Sequence, residues 1–270
     1  MLEPMLFAEL SLLGLFTGFS AGLLGIGGGM LQVPFLTAIL TARGLPIELA
    51  IKMAIATSMA SIVFTSMSSV RAHHKRGAVR WDLVLRLAPG IVAGAAVASL
   101  GVFNLVKGAG LALVFAVFVG FSATQMLLNK QPKTTRTLPG PQGQFAAGGV
   151  IGFISGMVGA GGGFISVPFL TWCNVSIHNA IATSAALGFP IALANTLGFV
   201  VAGWGTTGLP QGAVGYVFTP ALLAVALASV LMAPVGAKVA HSMDVKPLKR
   251  MFAFLLYGLA LYMGYQGLTA

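Results

Sequence analysis

The sequence predicts an all-α fold: a polytopic membrane helical bundle of two inverted repeats, each with a glycine-broken hairpin or half-helix and about three further spans, about eight to ten membrane segments in all. Three observations predict it: the composition, an internal duplication and the placement of positive charge. Of the 270 residues, 57% are hydrophobic and only 7% charged, with a mean hydropathy of +0.94. Soluble domains carry roughly 25% charged residues. A soluble fold of this size cannot hide so much apolar surface, whereas a bilayer accepts it. Apolar runs such as 91–100 and 111–119 do not alternate with polar residues, which excludes a transmembrane β-barrel and leaves helices.

The duplication emerges from self-comparison. Residues 18–37 read GFSAGLLGIGGGMLQVPFLT and residues 152–171 read GFISGMVGAGGGFISVPFLT, at an offset of 134. The segment AIATS occurs at 54–58 and again at 180–184, and Gly120 aligns with Gly258. Three blocks in the same order make a first repeat (1–128) and a second (145–270), joined by a polar linker (129–144).

Each repeat reads alike. The first has apolar runs at 6–24, 30–40, 53–70, 83–103 and 108–128; the second at 145–158, 164–172, 177–201, 217–239 and 248–268. A full span needs about 20 residues, so the short run after each glycine break covers about half a bilayer. The hairpin is either re-entrant or a full span followed by a half-helix. Pro34 and Pro168 set the geometry of the short arms.

Positive charge orients the repeats. Arg71, Lys75, Arg76, Arg80 and Arg86 form one cluster, Lys130, Lys133 and Arg136 a second, and Lys238, Lys246, Lys249 and Arg250 a third, together 12 of the 15 Lys and Arg residues. If all three clusters are cytoplasmic, the opposite side keeps Arg43, Lys52 and Lys107 with Glu3, Glu9 and Glu48. The first repeat then runs from outside to inside and the second from inside to outside, with both termini outside. Such repeats hold their substrate near the midplane, at the repeat interface.

The glycine breaks carry the chemistry. Three consecutive glycines cost about 1 kcal/mol each against alanine in a helix, and non-helical backbone at membrane depth survives only inside protein or beside a water-filled cavity. Gly27, Gly28 and Gly29, and their counterparts Gly161, Gly162 and Gly163, therefore line the expected substrate path. The helix that follows each break presents free N–H groups and a positive dipole end, which bind an anion without a charged side chain. Neutral donors repeat alongside: Thr57 and Ser58 match Thr183 and Ser184, Gln32 matches Ser166, and Asn195 matches Ser69. Gln32, Thr57, Ser58, Ser166, Thr183, Ser184 and Asn195 complete the expected substrate-binding set, for a small anionic substrate. Lone glycines such as Gly18 and Gly94 read as helix-packing positions.

Other chemistries find little support. The cations lie in short loops rather than on an aromatic-studded face, so no nucleic-acid partner is expected; the surroundings are membrane lipid. Cys173 is the sole cysteine, which excludes an internal disulfide. The N-terminus lacks a basic region, which argues against a cleaved signal peptide. No Gly-Lys-Ser/Thr follows the glycines, no paired carboxylates or nucleophile and base lie in a span, and His73 and His74 are adjacent among cations. No cofactor, metal site or enzymatic activity is expected. A passive anion channel and a transporter of another carboxylate or oxyanion are alternatives, and a homo-oligomer is allowed.

The paired Gly-x-Gly-Gly-Gly-x-x-x-x-Pro blocks, each followed by an Ala-Thr-Ser segment, resemble the TauE/SafE family of sulfite exporters, and the basic loop ending in Arg76-Gly77 adds to the match. The resemblance spans nearly the whole chain. It implies a prokaryotic plasma-membrane carrier for small sulfur-containing anions such as sulfite, sulfonates or thiosulfate. In the second repeat the loop equivalent to Arg71–Arg80, over 204–212, is neutral, as expected if it lies outside.

Overall fold

The computed structural model describes residues 4–24, 28–128, 137–240, 242 and 246–269. They form an all-α membrane bundle, with a single minor strand pair, Ala213–Val214 against Val217–Phe218. The first repeat holds α1 (Pro4–Leu24), α2 (Gly29–Ala42), α3 (Ile47–His74), α4 (Trp81–Ala96) and α5 (Gly108–Leu128). The second holds α6 (Pro141–Val158), α7 (Gly163–Trp172), α8 (Ile177–Ala202), α9 (Thr219–Ala240) and α10 (Lys246–Thr269). The last turns of α4 widen to π-helical geometry over Val97–Val102. Among the described residues seven helices are long and apolar enough to cross a membrane, and α2 and α7 are shorter apolar helices.

Glycine and proline punctuate these elements. Gly28 and Gly162, equivalent in the two repeats, both adopt φ +75° as the residue before a short helix, a left-handed backbone that side chains rarely take. Gly159, at φ +72°, ends α6. Pro46 precedes α3 and Pro141 opens α6, where the missing N–H has no cost. Ser176 caps α8 by accepting from the N–H of Asn179. Two helices start earlier than the apolar runs suggest. α3 begins at Ile47 rather than 53, which puts Lys52 inside the helix, and α6 begins at Pro141, within the expected linker. Residues 129–136 of that linker lie outside the described residues.

The hairpins combine a long arm with a short one. In the first, Met5 and Glu9 on α1 share a groove with Ala42 and Arg43 at the end of α2, so the hairpin starts and finishes at one end of the bundle. Its long arm reaches the other end, where Nε2 of the buried His73 lies 3.3 Å from the Gly22 carbonyl oxygen.

The repeats interlock by exchanging partners: α1 packs along α9, α6 along α4, α3 along α8, and α5 along α10. Small residues make the first two contacts possible. A Cβ on Gly14, Gly18 or Gly22 would come within 2.5, 2.3 and 1.9 Å of the Val225, Ser229 and Ala233 carbonyl oxygens. Gly148, Gly152 and Gly156, 134 residues further on, face α4 and α8 just as closely, and a Cβ on Gly94 would stand 1.9 Å from the Gly149 carbonyl oxygen. The packing role expected of Gly18 and Gly94 is what the helices display. Outside, large apolar side chains such as Leu105, Val117, Leu261 and Leu268 stand exposed, as lipid-facing positions must.

Directions follow from the cross-contacts. Thr65 of α3 meets Ser229 of α9, and Arg76 beyond α3 meets Ala237 near the end of α9, so these two helices run parallel. Thr57 early in α3 meets Phe218 beyond α8, and Arg80 beyond α3 meets Thr183 early in α8. The equivalent helices α3 and α8 therefore run antiparallel. Two of the three basic clusters, around Arg76 and Lys238, meet at one end of the bundle, called here the basic end.

Candidate functional site

The two hairpin tips meet at the centre of the bundle. A Cβ on Gly29, the first residue of α2, would stand 2.1 Å from the Gly159 carbonyl oxygen and 2.8 Å from Ala160 Cα. The Ser58 hydroxyl donates to that same Gly159 carbonyl at 3.0 Å. Gly28 O accepts from the N–H groups of Leu31 and Gln32, and Gly162 O from those of Ile165 and Ser166. The N–H groups just ahead of these have no acceptor within their own helix, so each short helix directs its positive end at the tip.

The expected side chains divide into ties and lining groups. Gln32 is buried and satisfied at both ends: Nε2 donates to Thr17 Oγ1 at 3.0 Å, and Oε1 accepts from Ser61. Thr57 accepts from the Phe218 N–H at 2.9 Å, and Thr183 from the Arg80 N–H at 3.0 Å. The two threonines thus do the same work at opposite ends of the bundle, each holding the chain where it enters the fourth helix of a repeat. Ser166 shares a 2.7 Å hydrogen bond with Ser184 and also donates to Gly162 O. Asn195 donates from Nδ2 to Ile191 O, and its Oδ1 is buried without a hydrogen-bond partner. Gly163 opens α7. Gly27 lies outside the described residues.

A small cavity adjoins the second tip. It is lined by Gly161, Ser184, Ala185 and Gly188 from the second repeat and by Ala21, Thr65, Ser66 and Ser69 from the first. Its volume open to the centre of a water-sized sphere is about 10 Å³, about enough for one water. Among its groups, Ser69 Oγ is buried without a hydrogen-bond partner. Of the residues expected from sequence, this cavity brings together Gly161 and Ser184, with Ser69, noted there as the match of Asn195; Thr65, Ser66 and Gly188 were not singled out. A signal for Thr65 and Ser69 exists in the spacing of Ser58, Ser61, Thr65 and Ser69, which recur every three or four residues and share one face of α3.

At the matching positions of the other repeat larger side chains stand. Where it has Thr65, Ala185 and Gly188, the counterparts in the other repeat are Ile191, Met59 and Ile62, of which Ile191, Met59 and Ile62 are wholly buried. Beyond them, towards the end opposite the basic one, Phe103 and Phe199 pack with centroids 4.3 Å apart, and Tyr216 abuts Phe103. The Tyr216 hydroxyl donates to Asn104 Oδ1 at 3.1 Å, and Lys52 Nζ lies 5.8 and 5.9 Å from the Phe103 and Tyr216 ring centres. Glu48 closes the same end by accepting from the N–H groups of Gly108 and Ala109 at the start of α5. A carboxylate there complements the helix dipole.

A helical bundle with broken short helices meeting at its centre, a hydroxyl-lined cavity beside them and a lipid-facing apolar exterior defines a polytopic membrane transporter. The chain belongs to the TauE/SafE sulfite exporter family, which it matches over residues 10–263. It is 36% identical to a probable membrane transporter protein of Haemophilus influenzae, over 93% of this chain and 96% of that one. A probable membrane transporter protein of Methanocaldococcus jannaschii is 26% identical over 94% of each chain. The probable membrane transporter protein YunE of Bacillus subtilis is 29% identical over 74% of this chain and 80% of its own. No solved structure matches the chain.

Proposed function

We propose that the protein moves a small sulfur-containing anion of the sulfite, sulfonate or thiosulfate class across the prokaryotic plasma membrane by alternating access, with its site between the two glycine-rich tips. The observation that carries this reading is the cavity beside Gly161. It combines hydroxyl donors, an unpartnered buried Ser69 and the positive end of α7, and it contains no fixed cation that would trap an anion. Neutral donors with a helix N-terminus suit an oxyanion that must be released again. At about one water in size the cavity corresponds to a closed, occluded stage, and carrying sulfite requires α3 and the second hairpin to separate.

The repeats are inverted in this reading, the basic end is cytoplasmic and both termini are external. The antiparallel course of α3 and α8, and the meeting of the Arg76 and Lys238 clusters at one end, support it. The aromatic group around Phe103, Phe199 and Tyr216 then forms the closed external side.

Counterflow in proteoliposomes tests the reading. Vesicles loaded with unlabelled sulfite should take up labelled sulfite faster than empty ones, with saturation, and external thiosulfate or a sulfonate should compete better than a carboxylate. Flux that neither saturates nor responds to the internal anion would establish a channel instead.

A further inference from the structure

At the basic end, a groove of about 380 Å³ runs between α3 and α9 on the outside of the bundle, lined by Ser68, Arg71, Lys75, Arg76, Pro234 and Lys238. Arg76 is partly engaged, donating to the Ala237 carbonyl at 2.7 Å. Arg71, Lys75 and Lys238 are exposed, and among the described residues no carboxylate pairs with any of them. Three cations with no carboxylate partner among the described residues surround one groove, and their mutual repulsion favours an anion between them.

The groove does not belong to the transport cavity. Ser68 lines it and donates to the Val230 carbonyl at 2.8 Å, whereas the cavity is lined by Thr65, Ser66 and Ser69 on another face of α3. Below the groove, each helix continues as an exposed apolar stripe at helical spacing. On α3 this is Phe64 (48% exposed) and Met67 (53%), four to seven residues before Arg71; on α9 it is Leu227 (65%) and Leu231 (72%), seven to eleven before Lys238. Since α3 and α9 run parallel, the two stripes lie side by side and both end in cations. A free anion would use only the cations. A molecule with a charged head and a long apolar body would use the whole lane, and its head would sit at the level where the spans end.

We propose that this groove binds an anionic phospholipid, with its phosphate between Arg71, Lys75 and Lys238 and an acyl chain along Phe64, Met67, Leu227 and Leu231. Basic pockets between membrane helices on the cytoplasmic side are suited to such head groups. The site is independent of which anion the protein carries. A lipid seated there bridges α3 and α9, which are otherwise joined at this end by the Arg76 contact, and so it favours the arrangement in which those two helices are packed.

Lipid adducts on the full-length protein in detergent, read by native mass spectrometry, together with the melting temperature, test this. Phosphatidylglycerol should bind and raise the melting temperature where phosphatidylcholine does not. Arg71→Gln/Lys238→Gln should weaken phosphatidylglycerol binding about tenfold or more, the scale expected for two interfacial cations. Arg86→Gln/Lys107→Gln removes the same charge elsewhere and should leave binding intact. Lys75→Gln, a single exposed change, should give an intermediate loss and serves if the double variant folds poorly. Equal weakening by both double variants, or by neither, would overturn the proposal. So would an equal rise in melting temperature with glycerol phosphate, since that would make the groove a site for soluble anions.

Discussion

Ser69 and Asn195 occupy equivalent positions on α3 and α8, and each buries a polar atom without a hydrogen-bond partner among the described residues. Such an atom costs about 1–3 kcal/mol, so its retention calls for a polar visitor. Because Ser69 gains nothing from the closed protein, Ser69→Ala should leave the melting temperature unchanged or slightly higher. The same change should weaken sulfite binding about tenfold or more, the value of one hydrogen bond to a charged group; titration calorimetry measures it. Gly28 and Gly162 act through backbone instead. At φ +75° a β-branched residue is strained by about 1–3 kcal/mol, so Gly28→Val and Gly162→Val should abolish counterflow, and unchanged flux in both would remove the tips from the site. The glycines and Ser184 were legible because they repeat. Ser69 was legible only as the match of Asn195, and Thr65 was not, since a hydroxyl in a membrane helix more often bonds its own backbone, as Thr65 does to Ser61 O. Only the fold reveals which hydroxyls face a cavity.

Between helices, the shared logic of the repeats becomes measurable. Thr57 and Thr183 each satisfy a backbone N–H at the entrance to a fourth helix. Thr57→Val and Thr183→Val should each lower stability by about 1–3 kcal/mol by leaving that donor unpaired, seen as similar falls in melting temperature. A fall in only one would break the equivalence. Gly18 abuts the Ser229 carbonyl so closely that Gly18→Leu should prevent α1 from seating on α9, with loss of folded protein in size-exclusion profiles. Helix limits were largely readable because Gly and Pro interrupt apolar runs. The beginning of α3 was not: Glu48 and Lys52 look like a loop in sequence, yet Glu48 caps α5 and Lys52 rests by aromatic rings. The role of the two threonines was hidden for a related reason, since nothing local says which loop will arrive beside them.

For the whole molecule, a hairpin that returns to its own end followed by three crossings would carry the chain to the opposite side, so in the proposed topology a second copy starts there inverted. The duplication and the charge clusters suggest this in sequence, and the antiparallel course of α3 and α8 supports it; the partner exchange, α1 with α9 and α6 with α4, was not readable, because similar apolar helices carry no label for their partners. In a Cys173→Ala background, single cysteines added at both termini should react with an impermeant thiol reagent in intact cells, while one at the exposed position 77 should not. Labelling of the loop at 77 without labelling of the termini would reverse the orientation. The central claim, that the anion sits at the second tip among α3 hydroxyls, is tested most directly by sulfite affinity in Ser69→Ala/Ser184→Ala beside the unaltered protein. The account predicts a dissociation constant raised about tenfold or more, with a fall in melting temperature no larger than the loss of the Ser166–Ser184 hydrogen bond explains. Equal affinity in the two proteins would contradict it and put the anion elsewhere.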